Sequence, residues 1–424
     1  MKYYLIAGEA SGDLHGSNLM KGIYAEDPQA DIRFWGGDLM ESVWSVFRNT
    51  PSQTSVDPFP CGQEGSTVSE NTPDLTAPVS GLVRHYKEGA VMGFVEVFAK
   101  ARQLLGNVSF CKKDILEWKP DVVILIDYPG FNFKIAEFAH KAGFKVFYYI
   151  APKVWASREG RIKKLKAYVD KLFIVFPFEI PYFTEKGIPF IYKGNPLVDA
   201  VDDSRAMKET RLDLLHRNSI DDKPFIAMLA GSRKGEISTM MPVLTKFAAK
   251  MRSLPQYSDH QFIIGGAPAR TMNDYEPWLT EENKKYIHVL FGETQSIIRH
   301  AEAAVVNSGT ASLETVLFNT PQAVGYITNP ITYWIARKIV KIKYISLGNL
   351  IIDRQGFKEF IQQDCNPDNL VNEIREILEN PDRRSSMLSA YADIRNALGG
   401  SGASAAVAEA MIKELKSSSS TESR

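Results

Sequence analysis

The chain has 424 residues, more than one domain usually holds, so we expect two domains, each with its own core. Lysine plus arginine and aspartate plus glutamate each number 50, so the formal net charge is zero, which excludes a general attraction to nucleic acid. The three cysteines, Cys61, Cys111 and Cys365, lack CxxC spacing, which argues against a disulfide framework or a structural zinc site and favours a reducing, cytoplasmic location.

Apolar runs of strand length recur along the chain, and most are followed by a turn and a segment with helical spacing, which is typical of parallel sheets covered by helices. The predicted strands are residues 3–7, 32–35, 122–126, 145–150, 172–176 and 190–192 in the first half, then 225–229, 262–264, 287–290, 303–306 and 322–326. The most apolar runs hold about 5 to 8 residues, whereas a membrane-spanning helix needs about 20, so we expect neither a transmembrane segment nor a signal peptide.

Two such series in tandem predict an α/β protein with two Rossmann-like, doubly wound domains that face a central cleft. We expect the first domain at residues 1–200, the second at 201–381, and helices with a polar tail at 382–424. The first of these helices should end at residue 398 before two glycines, and the next should start from Ser401 as its N-cap.

The segment 48–78 does not fit this alternation. It is rich in serine, threonine, proline, glycine and aspartate, and it has too few apolar residues to offset the entropy lost on ordering. We predict a flexible, disordered surface insertion, and the alternative is a lid over the active site.

The first predicted turn, Gly8-Glu9-Ala10-Ser11-Gly12-Asp13, connects a strand to a helix. Glycines at such a turn let the backbone approach a ligand, and the helix N-terminus favours negative charge. The alternative is a capped helix start in which Asp13 complements the helix dipole.

Asp127 follows the apolar strand 122–126. The carboxyl ends of strands line the ligand crevice of an open α/β sheet, so Asp127 is placed to act as a general base on an attacking hydroxyl. The alternative is a turn or cap aspartate before Pro129.

In the second half, the turn Gly231-Ser232-Arg233 again lies between a strand and a helix. An arginine there can form bidentate hydrogen bonds to a diphosphate and stabilise a leaving group, and glycine lets the backbone come close. A surface pair between Arg233 and Glu236 is the alternative.

The stretch Asn307-Ser308-Gly309-Thr310-Ala311-Ser312-Leu313-Glu314 follows the strand 303–306. Small hydroxyl residues and a glycine at a helix start form an anion nest, and Glu314 can accept hydrogen bonds from a ribose diol. These groups fit a nucleoside diphosphate, and the alternative is a well-capped helix.

Metal chemistry is not indicated, because the seven histidines show no ligand spacing and no DxD stands in a glycine-flanked loop after a strand. We expect no cofactor. His15 either faces the crevice or is structural. The alternating basic and apolar run 337–343 suits a membrane surface or phosphate groups, or is a solvated face.

In this order, the motifs resemble the lipid-A-disaccharide synthase family over nearly the whole chain. They are AGEASGDLHG, VMGFVEV, PDVVILIDYPGFN, APKVWA, PFE, GNP, AGSRKGE, NSGTASLE, SLGNL and FIQQDC. The resemblance implies a GT-B fold and an inverting transfer of 2,3-diacylglucosamine from UDP-2,3-diacylglucosamine. The acceptor is the 6-hydroxyl of 2,3-diacylglucosamine 1-phosphate, and the products are a β(1→6) disaccharide and UDP.

The resemblance also implies roles for individual residues. Asp127 occupies the position of the family's essential aspartate. The donor side is assigned to Gly231, Ser232, Arg233, Ser308, Gly309, Thr310, Glu314, Asn349 and Gln362, and the acceptor side to Glu9, Ser11, Gly12, Asp13, Met92 and Phe94.

The family's substrates carry acyl chains, so we assign the apolar stretch 91–98 to an acyl-binding and membrane-facing surface, with a buried core helix as the alternative. We expect peripheral association with the cytoplasmic face of the inner membrane and a homodimer formed through the C-terminal region. The chain departs from the family pattern in the 48–78 insertion, at Ser157 and at Gly348.

Two other functions fit parts of the pattern. One is a different GT-B enzyme, a transferase or epimerase acting on UDP-N-acetylglucosamine, and the other is a non-catalytic protein that binds a sugar nucleotide. A nicotinamide dehydrogenase is disfavoured because GxGxxG is missing.

Overall fold

A computed structural model describes residues 1–49, 81–89, 96–155, 159–329, 333 and 343–421. The predicted insertion 48–78 therefore lies outside the described residues, except for Arg48 and Asn49, which belong to a helix. Within the described ranges, no helix combines the length and apolar character that crossing a bilayer requires.

The first half of the described chain forms one parallel sheet covered by helices. Its strands are β1 (Lys2–Ala7), β2 (Asp31–Gly36), β3 (Leu82–His85), β4 (Val122–Ile126), β5 (Lys145–Tyr149), β6 (Lys171–Ile174) and β7 (Phe190–Tyr192), in the order β3-β2-β1-β4-β5-β6-β7. Its helices are α1 (Ala10–Glu26), α2 (Asp38–Asn49), α3 (Glu96–Trp118), α4 (Pro129–Lys141), α5 (Ile162–Tyr168), α6 (Glu179–Glu185) and α7 (Pro196–Asp202).

Both faces of this sheet are buried, because neighbouring side chains of a strand point to opposite sides. Tyr3 and Leu5 of β1 lie in one core, whereas Tyr4 and Ile6 lie in the other. The first core continues into the second half of the chain.

The second half repeats the plan. Its strands are β8 (Phe225–Leu229), β9 (Gln261–Gly266), β10 (Ile287–Phe291), β11 (Ala303–Asn307), β12 (Gln322–Tyr326) and β13 (Glu359–Ile361), in the order β10-β9-β8-β11-β12-β13. Its helices are α8 (Arg211–Arg217), α9 (Lys234–Arg252), α10 (Thr294–His300), α11 (Thr310–Leu317), α12 (Leu347–Ile352), α13 (Pro367–Glu379) and α14 (Pro381–Leu398).

All eleven predicted strands are present, and the described chain contains two more, β3 and β13. Both additional strands lie at the edge of a sheet, hold only four and three residues, and are half-buried along their length. They were missed because polar residues interrupt the short apolar run, since β3 reads LVRH and β13 reads EFI.

The last helix, α15 (Ala403–Thr421), leaves the second domain and packs against α1 and α7 of the first. Asp199 holds its start, because its carboxylate accepts from the backbone nitrogens of Gly402 at 2.6 Å and Ser404 at 2.7 Å. The predicted N-cap Ser401 is wrong, since α15 begins two residues later and the Ser401 hydroxyl donates to Asp202. The domain boundaries at 200 and 381 stay predictions.

In both sheets the strand order reverses between two adjacent strands, β1 and β4 in the first and β8 and β11 in the second. Helices that leave the two strands pass to opposite faces of the sheet, so a crevice opens outside their carboxyl ends. The fold therefore offers one ligand crevice in each half.

Candidate functional site between the two sheets

The four predicted motifs follow the four strands that border these crevices. The turn at Gly8 follows β1, Asp127 follows β4, Gly231 follows β8, and Ser308 follows β11. The two crevices meet, because Nη2 of Arg233 lies 3.9 Å from Oε1 of Glu9. The structure thus brings together motifs that are up to about 300 residues apart in the chain.

Asp127 has an unusual backbone conformation. Its φ is 44° and that of Tyr128 is 45°, so two consecutive non-glycine residues lie in the left-handed region. The Asp127 carbonyl oxygen accepts from Tyr148 Oη at 2.6 Å and from Asn132 Nδ2 at 2.8 Å. Such backbone strain persists only where the surroundings enforce it, and it is concentrated at functional sites. These two bonds hold the backbone and do not involve the carboxylate.

The Asp127 carboxyl has a raised pKa. Burial is the main cause and Glu9 adds to it, whereas Lys153, a backbone hydrogen bond and Arg233 oppose the rise. A general base works best when its pKa lies nearer the working pH, so the environment of Asp127 suits proton removal from a hydroxyl.

Gly8 is required by the packing of Tyr128. A Cβ atom at residue 8 would lie 2.3 Å from the Tyr128 ring. The aromatic residue next to Asp127 therefore lies against the backbone of the first turn, so the position of Asp127 depends on that glycine.

The predicted acceptor-side residues occupy different environments. Glu9 precedes α1 and faces Arg233, while Ser11 is half-buried and Gly12 is buried in the first turn of the helix. His15 is buried near Asp199, and burial lowers its pKa to about 4, which supports the structural alternative.

Asp13 is buried and caps a helix other than its own. Its carboxylate accepts from the backbone nitrogens of Gly37 at 2.7 Å and of Leu39 and Met40 at 3.1 Å each, where α2 begins. A carboxylate with three such partners stabilises the helix start. Asp13 lies in the first turn of α1, as the alternative interpretation expected, and it also caps α2, a role that the sequence did not indicate.

Arg233 forms only weak, exposed ion pairs where the second crevice opens. Its side chain is 72% exposed and pairs with Glu236 at 3.4 Å, as the alternative interpretation expected, and with Glu9. Glu236 also accepts from the backbone nitrogens of Ser232 at 3.0 Å and Arg233 at 3.2 Å. Exposed ion pairs contribute little stability, so Arg233 can exchange these carboxylates for a diphosphate.

Gly231 has a φ of 109°, and a Cβ atom there would lie 2.6 Å from Glu236 Oε2 and 2.7 Å from Asn307 Nδ2. Only glycine fits this crowded, left-handed position. Asn307 begins the predicted motif but was assigned no role of its own; it is buried, and its Oδ1 has no hydrogen-bond partner within the described residues. An unpaired buried amide oxygen beside the turn is a further acceptor that a ligand can use.

The start of α11 borders the same crevice. Gly309 precedes the helix, Thr310 is exposed, and the Ser308 hydroxyl donates to the Ile345 carbonyl at 3.2 Å. Glu314 accepts from Gln295 Nε2 at 3.2 Å, and burial raises its pKa. A half-buried carboxylate can accept hydrogen bonds from hydroxyl groups, as the predicted contact with a ribose requires.

Asn349 and Gln362 have structural partners instead of free polar groups. Asn349 is fully buried, donates to Glu359 at 2.8 Å and accepts from Gly356 N at 2.8 Å. Gln362 pairs with both backbone groups of Thr328, at 2.8 and 3.0 Å. A direct contact of either side chain with the donor would require these bonds to open, and the donor assignment of both residues stays a prediction.

The predicted residues Met92 and Phe94, Ser157 and the run 337–342 lie outside the described residues. Among the residues that are described, no three His, Cys, Asp or Glu side chains cluster so that they could hold a metal ion, and the metal-free site stays a prediction. Cys111 and Cys365 are buried free thiols.

Comparison with known proteins decides the family. The sequence model of the lipid-A-disaccharide synthetase family matches residues 73–411. Lipid-A-disaccharide synthase of Syntrophus aciditrophicus is 34% identical over 418 residues, which cover 98% of each chain, and that of Trichlorobacter lovleyi is 30% identical over 98% of this chain and 97% of its own. The chain belongs to the lipid-A-disaccharide synthase family.

Solved structures support the fold independently. The UDP complex of S. aureus MnaA covers 98% of this chain and 97% of its own, with a TM-score of 0.63 and 14% identity. The complex of Methanocaldococcus jannaschii UDP-GlcNAc 2-epimerase with UDP-GlcNAc and UDP covers 97% and 100%, also with a TM-score of 0.63 and 14% identity. The predicted fold class of two Rossmann-like domains, the family and the glycosyltransferase class are confirmed.

Proposed function

We propose that this member of the lipid-A-disaccharide synthase family transfers 2,3-diacylglucosamine from its UDP conjugate to the 6-hydroxyl of 2,3-diacylglucosamine 1-phosphate. The observation that carries the proposal is that Asp127 follows β4 and Arg233 follows β8, at two crevices that meet where Arg233 lies 3.9 Å from Glu9. An in-line displacement needs a base on one side of the anomeric carbon and a stabilised diphosphate on the other.

In the proposed reaction, the carboxylate of Asp127 removes the proton of the acceptor hydroxyl. The acceptor oxygen forms a bond to the anomeric carbon while the bond from that carbon to the diphosphate oxygen breaks, so the configuration inverts to β. The electron pair of the broken bond leaves with UDP, and Asp127 retains the proton until it exchanges with solvent.

On the donor side, Arg233 and the backbone N–H groups at the starts of α9 and α11 would receive the charge that develops on the diphosphate. Glu314 would accept from the ribose hydroxyls, with Ser308, Gly309 and Thr310 around the phosphates. The conformational freedom of Gly231 and the exposure of Arg233 support this arrangement. We propose that Asn349 and Gln362 shape this side through the bonds described above.

On the acceptor side, Glu9 pairs with Arg233, Ser11 and Gly12 follow in the first turn of α1, and Asp13 holds the start of α2. The acceptor carries a phosphate, and a cationic candidate that the sequence did not indicate follows β3, namely Lys87, which pairs with Asp38 at 2.7 Å. His85, the last residue of β3, lies 3.1 Å from the same carboxylate, which follows β2.

We also propose that the protein associates with the cytoplasmic face of the inner membrane and forms a homodimer. Three large apolar side chains of α3 support the membrane contact, because Leu105, Phe110 and Leu116 are 59%, 48% and 48% exposed. Acyl chains of a bound substrate must leave water, and exposed apolar side chains on this helix give them a neighbouring surface.

The test is incubation of the purified protein with UDP-2,3-diacylglucosamine and 2,3-diacylglucosamine 1-phosphate, dispersed in detergent, in the presence of EDTA. We expect release of UDP and formation of a disaccharide phosphate. Turnover of UDP-N-acetylglucosamine lacking acyl chains would favour the alternative transferase or epimerase, and UDP binding without any turnover would favour a sugar-nucleotide-binding protein.

A further inference from the structure

The motif PFE contains a buried glutamate that the proposed reaction does not use. Glu179 is 1% exposed and follows β6, where its Oε2 accepts from the backbone nitrogens of Val175 at 3.2 Å and Phe176 at 3.1 Å. Its Oε1 accepts from Trp155 Nε1 at 3.1 Å. Burial raises the pKa of Glu179 to about 7. Burying an ionisable group costs free energy, and these three hydrogen bonds offset part of that cost.

Glu179 anchors the loop of the motif APKVWA. This loop, residues 151–155, follows β5, and it is fixed at one end by the bond from Trp155 to Glu179 and by the contact of Trp155 with the Phe178 ring at 4.8 Å. Ala151 and Val154 are buried, whereas Lys153 between them is exposed. The anchored loop thus presents one cationic side chain at its surface.

Strand order places this loop between two carboxylates. β5 lies between β4, which leads to Asp127, and β6, which leads to Glu179. Neighbouring strands are about 4.8 Å apart, so roughly 10 Å separates the ends of β4 and β6, and the loop bridges that gap. Lys153 acts electrostatically on both carboxylates and is the strongest of the charges that oppose the raised pKa of Asp127.

The other charged groups around the two carboxylates do not replace Lys153. Glu9 raises the pKa of Asp127, Arg233 lowers it less than Lys153 does, and the buried hydroxyl of Tyr148 also faces Asp127. Arg233 is moreover assigned to the diphosphate in the proposed reaction. When Arg233 binds the donor diphosphate, Lys153 remains as the cation near Asp127, and both residues follow strands of the first sheet.

We propose that Glu179 is a positioning residue for the reaction. Through Trp155 it holds the loop 151–155 so that the Lys153 ammonium stays near Asp127 and favours the ionised, proton-accepting form of that carboxylate. The inference rests on the proposed function, because it assigns Asp127 the role of general base.

The first test compares pH profiles of kcat/KM for UDP release in wild type, K153M, K153R and the control K134M, which alters an exposed lysine of α4. On the acid side of the profile, here called the acid limb, kcat/KM falls as Asp127 becomes protonated. We expect the midpoint of the acid limb to rise by about one pH unit in K153M, because an opposite charge nearby lowers a carboxyl pKa by such an amount. The midpoint should stay in place in K153R and K134M. An unmoved limb in K153M overturns the inference.

The second test addresses the hydrogen bond from Trp155 to Glu179. W155F removes the indole N–H donor but leaves Glu179 bonded to the backbone. In E179Q an amide NH2, which can only donate, replaces one of the two acceptor oxygens, so Gln at this position cannot accept from both the backbone and Trp155. We expect both variants to move the acid limb in the same direction as K153M, and W155F/K153M to move it no further than K153M alone. The matched control is E185Q, on the exposed end of α6. A uniform loss of activity at all pH values, without a moved limb, contradicts the positioning role.

A direct titration separates this inference from the proposed function. In protein labelled with 13C at aspartate carboxyls, the Asp127 signal is identified by its loss in D127N. It should titrate at higher pH in K153M and W155F than in wild type, whether or not the named substrates react. A wild-type protein that releases no UDP refutes the proposed function, whereas an unchanged Asp127 titration in K153M refutes the role of Lys153.

Discussion

Replacing Asp127 by asparagine should separate catalysis from folding. The contacts that hold this turn involve the Asp127 backbone, whose carbonyl accepts from Tyr148 at 2.6 Å and from Asn132 at 2.8 Å. D127N keeps these bonds and the side-chain volume, and removes only the base. General-base catalysis contributes roughly 10²- to 10⁴-fold, so kcat/KM should fall by that factor, or about 2.7 to 5.4 kcal/mol of transition-state stabilisation.

The same substitution should not destabilise the protein. Burial raises the pKa of Asp127, so the folded state binds this proton more tightly than the unfolded state does, and stability is lost as the pH rises through the two pKa values. At neutral pH the buried charge of Asp127 therefore lowers the free energy of unfolding, and asparagine removes this charge. We expect a Tm equal to or above that of wild type, and unchanged affinity for UDP.

The assay combines steady-state UDP release, calorimetric UDP binding and thermal melting. The matched control is D121N, which makes the same substitution at the opposite end of β4, where Asp121 accepts from Lys2 N at 2.7 Å. It should leave turnover within about twofold of wild type. The assignment of Asp127 as the base is refuted if D127N retains more than a tenth of the wild-type kcat/KM. It is also refuted if D127N loses as much affinity for UDP as it loses turnover.

Three further substitutions follow from the same geometry. In G8A the added Cβ would lie 2.3 Å from the Tyr128 ring and displace the residue next to the base. Activity should fall about tenfold, since a displacement of about 1 Å can cost up to 10²-fold. The control G130A should be neutral, because no atom lies within 4 Å of its added Cβ. R233A should weaken UDP binding roughly 10- to 100-fold by calorimetry, through the loss of charge-assisted hydrogen bonds; undiminished binding would contradict the donor assignment. D199A should cost about 1 to 2 kcal/mol, because two N–H donors at the start of α15 lose their acceptor; an unchanged melting curve would show that water replaces it.

The sequence predicted the interior of the fold more accurately than its edges. β4 and β8 were predicted with their observed bounds, because fully buried strands consist of uninterrupted apolar residues that end at a turn. The edge strands β3 and β13 were missed, since charged residues leave each of them with only two apolar residues. The return of α15 to the first domain was also missed, because packing between residues so distant in sequence leaves no local signal.

The sequence by itself determined the candidate chemistry, because turn glycines, an aspartate after an apolar strand and a helix start with small residues are local patterns. Only the tertiary structure decided which groups are available to a ligand. Asp13 and Asn349 look as reactive in the sequence as Asp127, yet their polar atoms are used by Gly37 and Glu359. Whether a buried polar side chain is satisfied depends on partners brought close by folding, and the strand order, not the spacing of residues along the chain, sets those partners.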